Sequence, residues 1–292
     1  MAHEFSAANL FNLSGQVAVV TGGGTGLGLS QAKALAANGA KVYITGRRKE
    51  VLDKAVEEGG VFPSGGSLHA LPMDVTKRES ILEGVKVVAK EGYLSLLVNN
   101  AGIAKGKEKN LSKSKSRGVE AYSKAMLAFS EEAFETVYNT NVASPWFVTG
   151  AFLPLLVKAK AANAPAAGAL YLQSVINLTS ISAFTKGDQD GQEIYNSSKA
   201  ALVSLTDMMA TEFADPAIDI RVNSIAPGLF PSEMTTGFPD PNNREAHLAM
   251  GYVTGRPGLP SEMAQTVLFL AANHFIYGQH LIVDGGYLVK NR

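Results

Sequence analysis

Five glycines fall within the seven positions 22–28, in Thr21-Gly22-Gly23-Gly24-Thr25-Gly26-Leu27-Gly28. An apolar, β-branched run at 17–21 leads straight into them, and a stretch with helical spacing follows at 27–38. This strand-to-helix context constrains the fold more than any other feature. Without side chains the backbone can close on a bulky anion, and the free N–H groups of the helix start meet it with partial positive charge. A turn would need one or two glycines; five predict a cradle for a pyrophosphate. The strict G-x-G-x-x-G spacing is absent, and the glycines fall instead as T-G-x-x-x-G-x-G.

The rest of the chain repeats the same alternation. Short apolar runs at 17–21, 42–45, 68–73, 94–99, 170–178, 218–225 and 280–284 predict strands, and segments at 27–38, 80–90, 134–157 and 200–213 predict helices between them. Alternating β and α argues for an α/β, doubly wound parallel sheet of Rossmann-like type, whose ligands bind beyond the C-terminal strand ends. With 292 residues, 46% of them hydrophobic, one domain over 1–292 can bury a large core. Three stretches interrupt the pattern. Residues 104–118 carry Lys105, Lys107, Lys109, Lys113, Lys115 and Arg117 and read as a solvated basic insertion. Residues 159–168 read as a small-residue surface connector, and 229–258, rich in Pro, Gly and Met, as a cover over a site.

Composition narrows the partners. The 26 basic and 26 acidic residues cancel, so no net field draws the chain to nucleic acid or an anionic membrane. No cysteine is present, which excludes thiolate chemistry and Cys-based zinc sites and is compatible with a cytoplasmic location. His3, His69, His247, His274 and His280 form no H-x-x-x-H pair, so no metal is expected. The N-terminal segment has no basic region followed by an apolar stretch, and no segment is expected to reach the ~18 apolar residues of a membrane span.

The glycine spacing resembles that of the short-chain dehydrogenase/reductase family, and further motifs follow in that family's order from Thr21 to Gly286. The resemblance implies phosphate contacts from Gly22, Gly24, Thr25, Gly26, Leu27 and Gly28, and adenine contacts from Asp74 and Val75. Asn99-Asn100-Ala101-Gly102 resembles the N-N-A-G signature and implies cofactor contacts from Asn100, Ala101 and Gly102. Asn141 falls where the family keeps a helical Asn that anchors a water in a proton relay. The strand 175–180 ends at Ser180, the position of the family's catalytic serine, with Ser182 as a second candidate hydroxyl. Tyr195-Asn196-Ser197-Ser198-Lys199 gives the Y-x-x-x-K pair fifteen positions later. Pro227 and Gly228 are similar to the segment that packs on a nicotinamide, with Phe230 and Ser232 near its carboxamide.

The chemistry of these residue types agrees. A tyrosine, with pKa ~10, donates or takes a proton near neutrality more readily if an ammonium lies within ~4–6 Å. Lys199, one helical turn on, projects from the same face as Tyr195; by resemblance it also holds the nicotinamide ribose. Ser180 is expected to hydrogen-bond the substrate oxygen. At the end of the second strand, Gly46 stands where an NAD enzyme usually carries an acid, and Arg47 and Arg48 follow. Space and charge there predict NADP(H). The expected function is an NADP(H)-dependent oxidoreductase acting on a small ketone, aldehyde or alcohol, similar to 3-oxoacyl and other carbonyl reductases. The resemblance also implies a homo-oligomer, a tetramer or dimer. Two other readings keep the fold: a non-reductive step such as isomerisation, dehydration or cyclisation, and a nucleotide-sensing binding protein.

Overall fold

Runs such as Val17–Thr21, Ser174–Leu178 and Arg221–Pro227 are buried at every position, which requires strands covered on both faces. In the computed structural model, which describes residues 3–106, 111–162, 173–186 and 191–291, they lie in one seven-stranded parallel sheet. Its strands are β1 (Val17–Thr21), β2 (Lys41–Gly46), β3 (Ser67–Pro72), β4 (Leu96–Asn99), β5 (Ser174–Leu178), β6 (Arg221–Pro227) and β7 (His280–Val283), in the order β3-β2-β1-β4-β5-β6-β7. The connecting helices are α1 (Ala7–Leu10), α2 (Gly26–Ala37), α3 (Lys49–Glu57), α4 (Arg78–Val88), α5 (Leu111–Ser114), α6 (Val119–Leu127), α7 (Glu131–Tyr138), α8 (Ser144–Ala162), α9 (Glu193–Phe213), α10 (Arg244–Ala249), α11 (Pro260–Ala272) and α12 (Tyr287–Lys290).

Successive strand residues point to opposite faces, so Val20 and Val19 enter different cores. Val20, Ile44, Leu35, Leu52, Met263 and Leu270 fill the layer under α2, α3 and α11. Val19, Leu97, Val175, Phe152, Leu156 and Met209 fill the other, under α8 and α9. The order reverses between β1 and β4, which pair in register from Ala18↔Leu96 to Val20↔Val98. The crevice beyond that point is where the fold places ligands.

Several expectations change at this level. The predicted helix 134–157 is two helices, α7 and α8, joined by a π-helical turn at Asn139–Ala143. The strand expected at 218–225 begins at Arg221, because Asp219, at φ 53, turns the chain just before it. The strand expected from 170 is described from Ser174; residues 170–172 lie outside the described residues, as do 163–168 of the connector. Helices α3, α6 and α11 were not anticipated. The basic insertion is not wholly solvated: Leu111 and Ser114 are buried in α5, while Lys107 and Lys109 lie outside the described residues. The stretch 229–258 is ordered into a short turn at Glu233–Thr235 and α10, with Leu229, Phe230, His247 and Tyr252 buried. Finally, the helical run Glu131–Ala159 is, against expectation, apolar and long enough to span a membrane, with mean hydropathy 1.4. Its apolar side is a core face, since Val148, Phe152, Leu155 and Leu156 pack against the sheet.

Arg221 is almost wholly buried at the start of β6, and it caps a helix end. Its guanidinium donates to the carbonyls of Leu270, Ala271 and Ile276, the first two in the last turn of α11. Those carbonyls have no intrahelical partner. Burial lowers the Arg221 pKa to about 10, so the group stays charged at neutral pH. Arg221→Ala is expected to lower unfolding stability by ~2–4 kcal/mol in denaturant titration, through the orphaned carbonyls and the cavity. A change below ~1 kcal/mol would show that the cap is dispensable.

Candidate active site

The glycine loop sits between the ends of β1 and β4. Gly22, at φ +62, turns the chain out of β1. A Cβ on Gly28 would meet the Gly22 carbonyl at 2.3 Å and Asn100 Nδ2 at 2.5 Å, so α2 can approach the loop only as glycine. Thr21 and Asn100 lock the two strand ends together. Thr21 Oγ1 accepts from the backbone N–H groups of Asn100 and Ala101, both at 3.0 Å, and Asn100 Nδ2 donates to the carbonyls of Thr21 and Gly22 at 2.9 and 3.2 Å. Asn100 thus builds the phosphate loop as well as lining the cleft. Neighbouring Asn99 is structural: Nδ2 donates to Thr149 Oγ1 and Asn177 Oδ1.

A single cleft of about 680 Å³ runs along the strand ends, and it is lined by Gly22, Gly24, Thr25, Gly26, Leu27, Gly28, Arg47, Arg48, Asp74, Val75, Asn100, Ala101, Gly102, Ser180, Tyr195, Lys199, Pro227, Gly228, Phe230 and Ser232. Sequence positions scattered over two hundred residues therefore converge. At one end Gly46 closes β2, and Arg47 and Arg48 stand exposed beside it. Asp74 accepts from Thr76 N at 2.9 Å and Thr76 Oγ1 at 2.7 Å. Burial alone would raise its pKa, but these hydrogen bonds and the charge of Arg47 leave it below the usual carboxylate range. It is an acceptor at neutral pH, as an adenine contact requires.

At the other end, β5 delivers Ser180 and α9 delivers Tyr195 and Lys199. Ser180 and Tyr195 both line the cleft, and Ser180 Oγ accepts from Ser182 N at 3.1 Å. Ser182 does not line the cleft, so of the two candidate hydroxyls Ser180 is the one in place. Lys199, 4% exposed, donates to the Leu178 carbonyl at 2.7 Å, and its Nζ lies 5.8 Å from the Tyr195 ring centroid. Burial pushes the Tyr195 phenol up, and the Ser180 hydroxyl only partly opposes that rise. The expected lowering by Lys199 is therefore not realised here, and the phenol is held neutral. Burial lowers Lys199 itself to about 8.

Asn141 lies at the π-helical turn and is wholly buried. Its Oδ1 accepts from Ile103 N, and its Nδ2 donates to Ile103 O and Ser198 Oγ, at 2.9, 2.9 and 3.0 Å. The side chain clamps the turn after β4 to α9. The stretch 229–258 follows Pro227-Gly228, where Gly228 N donates to Val283 O at 2.9 Å. Phe230 is buried against Gly258, and Ser232 lies over Gly26. Sequence reasoning missed Ile103, Thr136, Asn139, Thr140 and Glu233 on the cleft wall; no local pattern marks them, since each reaches the site only through packing. Among the described residues no cluster of His, Asp and Glu is placed to hold a metal. The pieces fit a nicotinamide dinucleotide: a side-chain-free cradle for the pyrophosphate, an acceptor and two guanidiniums at one end, and an acid–ammonium pair at the other.

Comparison with known proteins agrees with this geometry. The family model described as enoyl-(acyl carrier protein) reductase matches residues 22–288. The chain is 38% identical to the short-chain dehydrogenase/reductase VdtF of Byssochlamys spectabilis, over 97% of this chain and 96% of that protein. It is 31% identical to the 3-oxoacyl-[acyl-carrier-protein] reductase FabG of Thermotoga maritima, over 95% and 99%. Among solved structures, the Pseudomonas aeruginosa RhlG/NADP active-site complex superposes with a TM-score of 0.79 at 30% identity, over 95% and 98% of the chains. A 7α-hydroxysteroid dehydrogenase complexed with NADH and a 7-oxo bile acid superposes at 0.77 and 26%, over 97% of both chains. With its glycine cradle, its Ser180, Tyr195 and Lys199 in one cleft and these relatives along its whole length, the chain belongs to the short-chain dehydrogenase/reductase family of oxidoreductases, which act on CH–OH and C=O groups.

Proposed function

We propose that this protein is an NADP(H)-dependent reductase of ketone or aldehyde carbonyls, working in reverse as an alcohol dehydrogenase. The observation that carries the reading is that Ser180, Tyr195 and Lys199 line the same cleft as the glycine loop, with the Lys199 ammonium 5.8 Å from the Tyr195 ring centroid. A nicotinamide bound there supplies or accepts the hydride. The side chains do the rest. Ser180 and Tyr195 line the cleft together, so a substrate oxygen seated between them is held by two donors while it gains negative charge. Tyr195, neutral because buried, then gives its proton to that oxygen. Lys199 stabilises the phenolate that remains, and Asn141 holds the Gly102–Ile103 turn against it. The stretch 229–258, as a cover, excludes water from the transfer.

The preference for the phosphate-bearing cofactor rests on Gly46, Arg47 and Arg48, since family membership alone accommodates both forms: one neighbouring structure is an NADP complex and another holds NADH. A homo-oligomer of two or four copies and a cytoplasmic location belong to the same reading. An intact Ser/Tyr/Lys set argues against a purely isomerising, dehydrating or cyclising role, and against a nucleotide sensor without turnover.

The test is NADPH consumption against a panel of ketones, aldehydes and an enoyl thioester, with products identified. Oxidation of NADPH with a ketone or aldehyde supports the reading; conversion without change in NADPH, or binding without turnover, overturns it. The pH profile adds a second check. Reduction needs Tyr195 protonated and Lys199 charged. Because Tyr195 lies above its ordinary value and Lys199 at about 8, kcat/KM for reduction is expected to be level below about pH 8 and to fall above it as Lys199 loses its proton. A rate that rises through that range would remove Lys199 from its assigned role.

A further inference from the structure

We propose that Glu233 is a specificity-determining residue: its carboxylate occupies Arg48 across the mouth of the cleft until the 2′-phosphate of a bound cofactor displaces it. This rests on the NADP(H) reading given above. Arg48 Nη2 lies 3.2 and 3.4 Å from the two carboxylate oxygens of Glu233, a contact between residues 185 positions apart. Both residues line the cleft.

The contact follows from where each group is held. Arg48 is the N-cap of α3, and a cation at a helix N-terminus is unfavourable unless an anion lies close by. Glu233 comes from a turn that is closed on itself. Ser232 N donates to Thr235 Oγ1 at 2.8 Å, and Thr235 Oγ1 donates to Phe230 O at 2.9 Å. Phe230 is buried, and Gly258 N donates to Leu229 O at 2.8 Å, so the root of the turn is fixed. Ser232 packs over Gly26 of the phosphate cradle, where a Cβ would approach it to 3.3 Å. Glu233 is thereby presented to Arg48 directly above the nucleotide cleft.

Two anions then compete for one guanidinium. A ribose 2′-phosphate carries about −1.5 to −2 charge at neutral pH and offers the same fork geometry as a carboxylate. It displaces a single carboxylate, which is left close beside it and opposes it. A 2′-hydroxyl offers no such charge, so NADH leaves the pair intact. The pair is exposed on both sides, at 57% and 65%, which keeps the effect modest.

The experiment measures Kd for NADPH and NADH, and for adenosine 2′,5′-bisphosphate and AMP, by titration calorimetry. The proteins are the wild type, Glu233→Gln, Arg48→Gln and the double variant. Glu233→Gln is expected to tighten NADPH and the bisphosphate by about two- to five-fold, with NADH and AMP unchanged within that error. The gain should be at least halved in the Arg48→Gln background, where only direct repulsion remains, and shrink as salt is raised. A wild-type protein that binds NADPH and NADH equally would overturn the cofactor reading. A wild-type protein that prefers NADPH, combined with a Glu233→Gln change that is absent or equal for both nucleotides, would overturn the competition alone.

Discussion

Replacing Tyr195 by Phe is expected to lower carbonyl reduction by ~10²–10⁴-fold while NADPH still binds. The substitution removes one oxygen and leaves the ring that lies 5.8 Å from Lys199 Nζ. What is lost is the proposed proton donor. Ser180→Ala should cost less, on the order of 10²–10³-fold, because it removes an oxygen-holding donor but not the proton. Lys199→Ala should impair both turnover and cofactor affinity, since one buried ammonium faces the phenol and the ribose position. Because the three residues act as a unit, combining Tyr195→Phe with Lys199→Ala should cost little more in rate than the worse of the two. Rates from single turnovers, with NADPH binding followed separately by its fluorescence, distinguish these effects. Near-normal turnover in Tyr195→Phe would remove the proposed acid.

The second large effect concerns the nucleotide. A charge-assisted contact contributes roughly 1.5–3 kcal/mol, so Arg47→Ala is expected to weaken NADPH by ~10–100-fold and NADH hardly at all. The more demanding test is Gly46→Asp, which places a carboxylate at the end of β2. A Cβ there finds its nearest neighbour, Leu52 Cδ2, at an ordinary 3.5 Å, so the substitution fits without moving the strand. The new acid accepts from a ribose 2′-hydroxyl and repels a 2′-phosphate, and the preference should turn toward NADH. The ratio of kcat/KM for the two cofactors measures it. A variant that folds normally and keeps the wild-type ratio would show that the strand end does not read the ribose.

The sheet and the cofactor end of the site were legible because they depend on short-range patterns. Fully apolar runs and the glycine cluster are written into consecutive positions, and so is the four-residue spacing that puts Tyr195 and Lys199 on one helix face. Arg47 was legible for the same reason, as the residue after a strand end that lacks an acid. Ser180 was legible as the residue that ends the strand, while the exclusion of Ser182 from the cleft came only with the fold. The helical spacing says that an ammonium is near, but the burial that raises the phenol is set only by the packed fold.

What the chain determines by itself is therefore each element's backbone chemistry: where Cβ must be absent, where both strand faces are apolar, where a helix must start. What only the tertiary structure decided is which distant groups share a contact. Thr21 and Asn100, 79 positions apart, lock the phosphate cradle; Arg221 reaches the end of α11 from 49 positions away; Asn141 turns both ends of its amide to Ile103, 38 positions away; and Glu233 meets Arg48 from 185 positions away. The physical reason is that such partners are chosen by strand register and by how helices settle on the two cores, and neither is encoded in the few residues around each side chain.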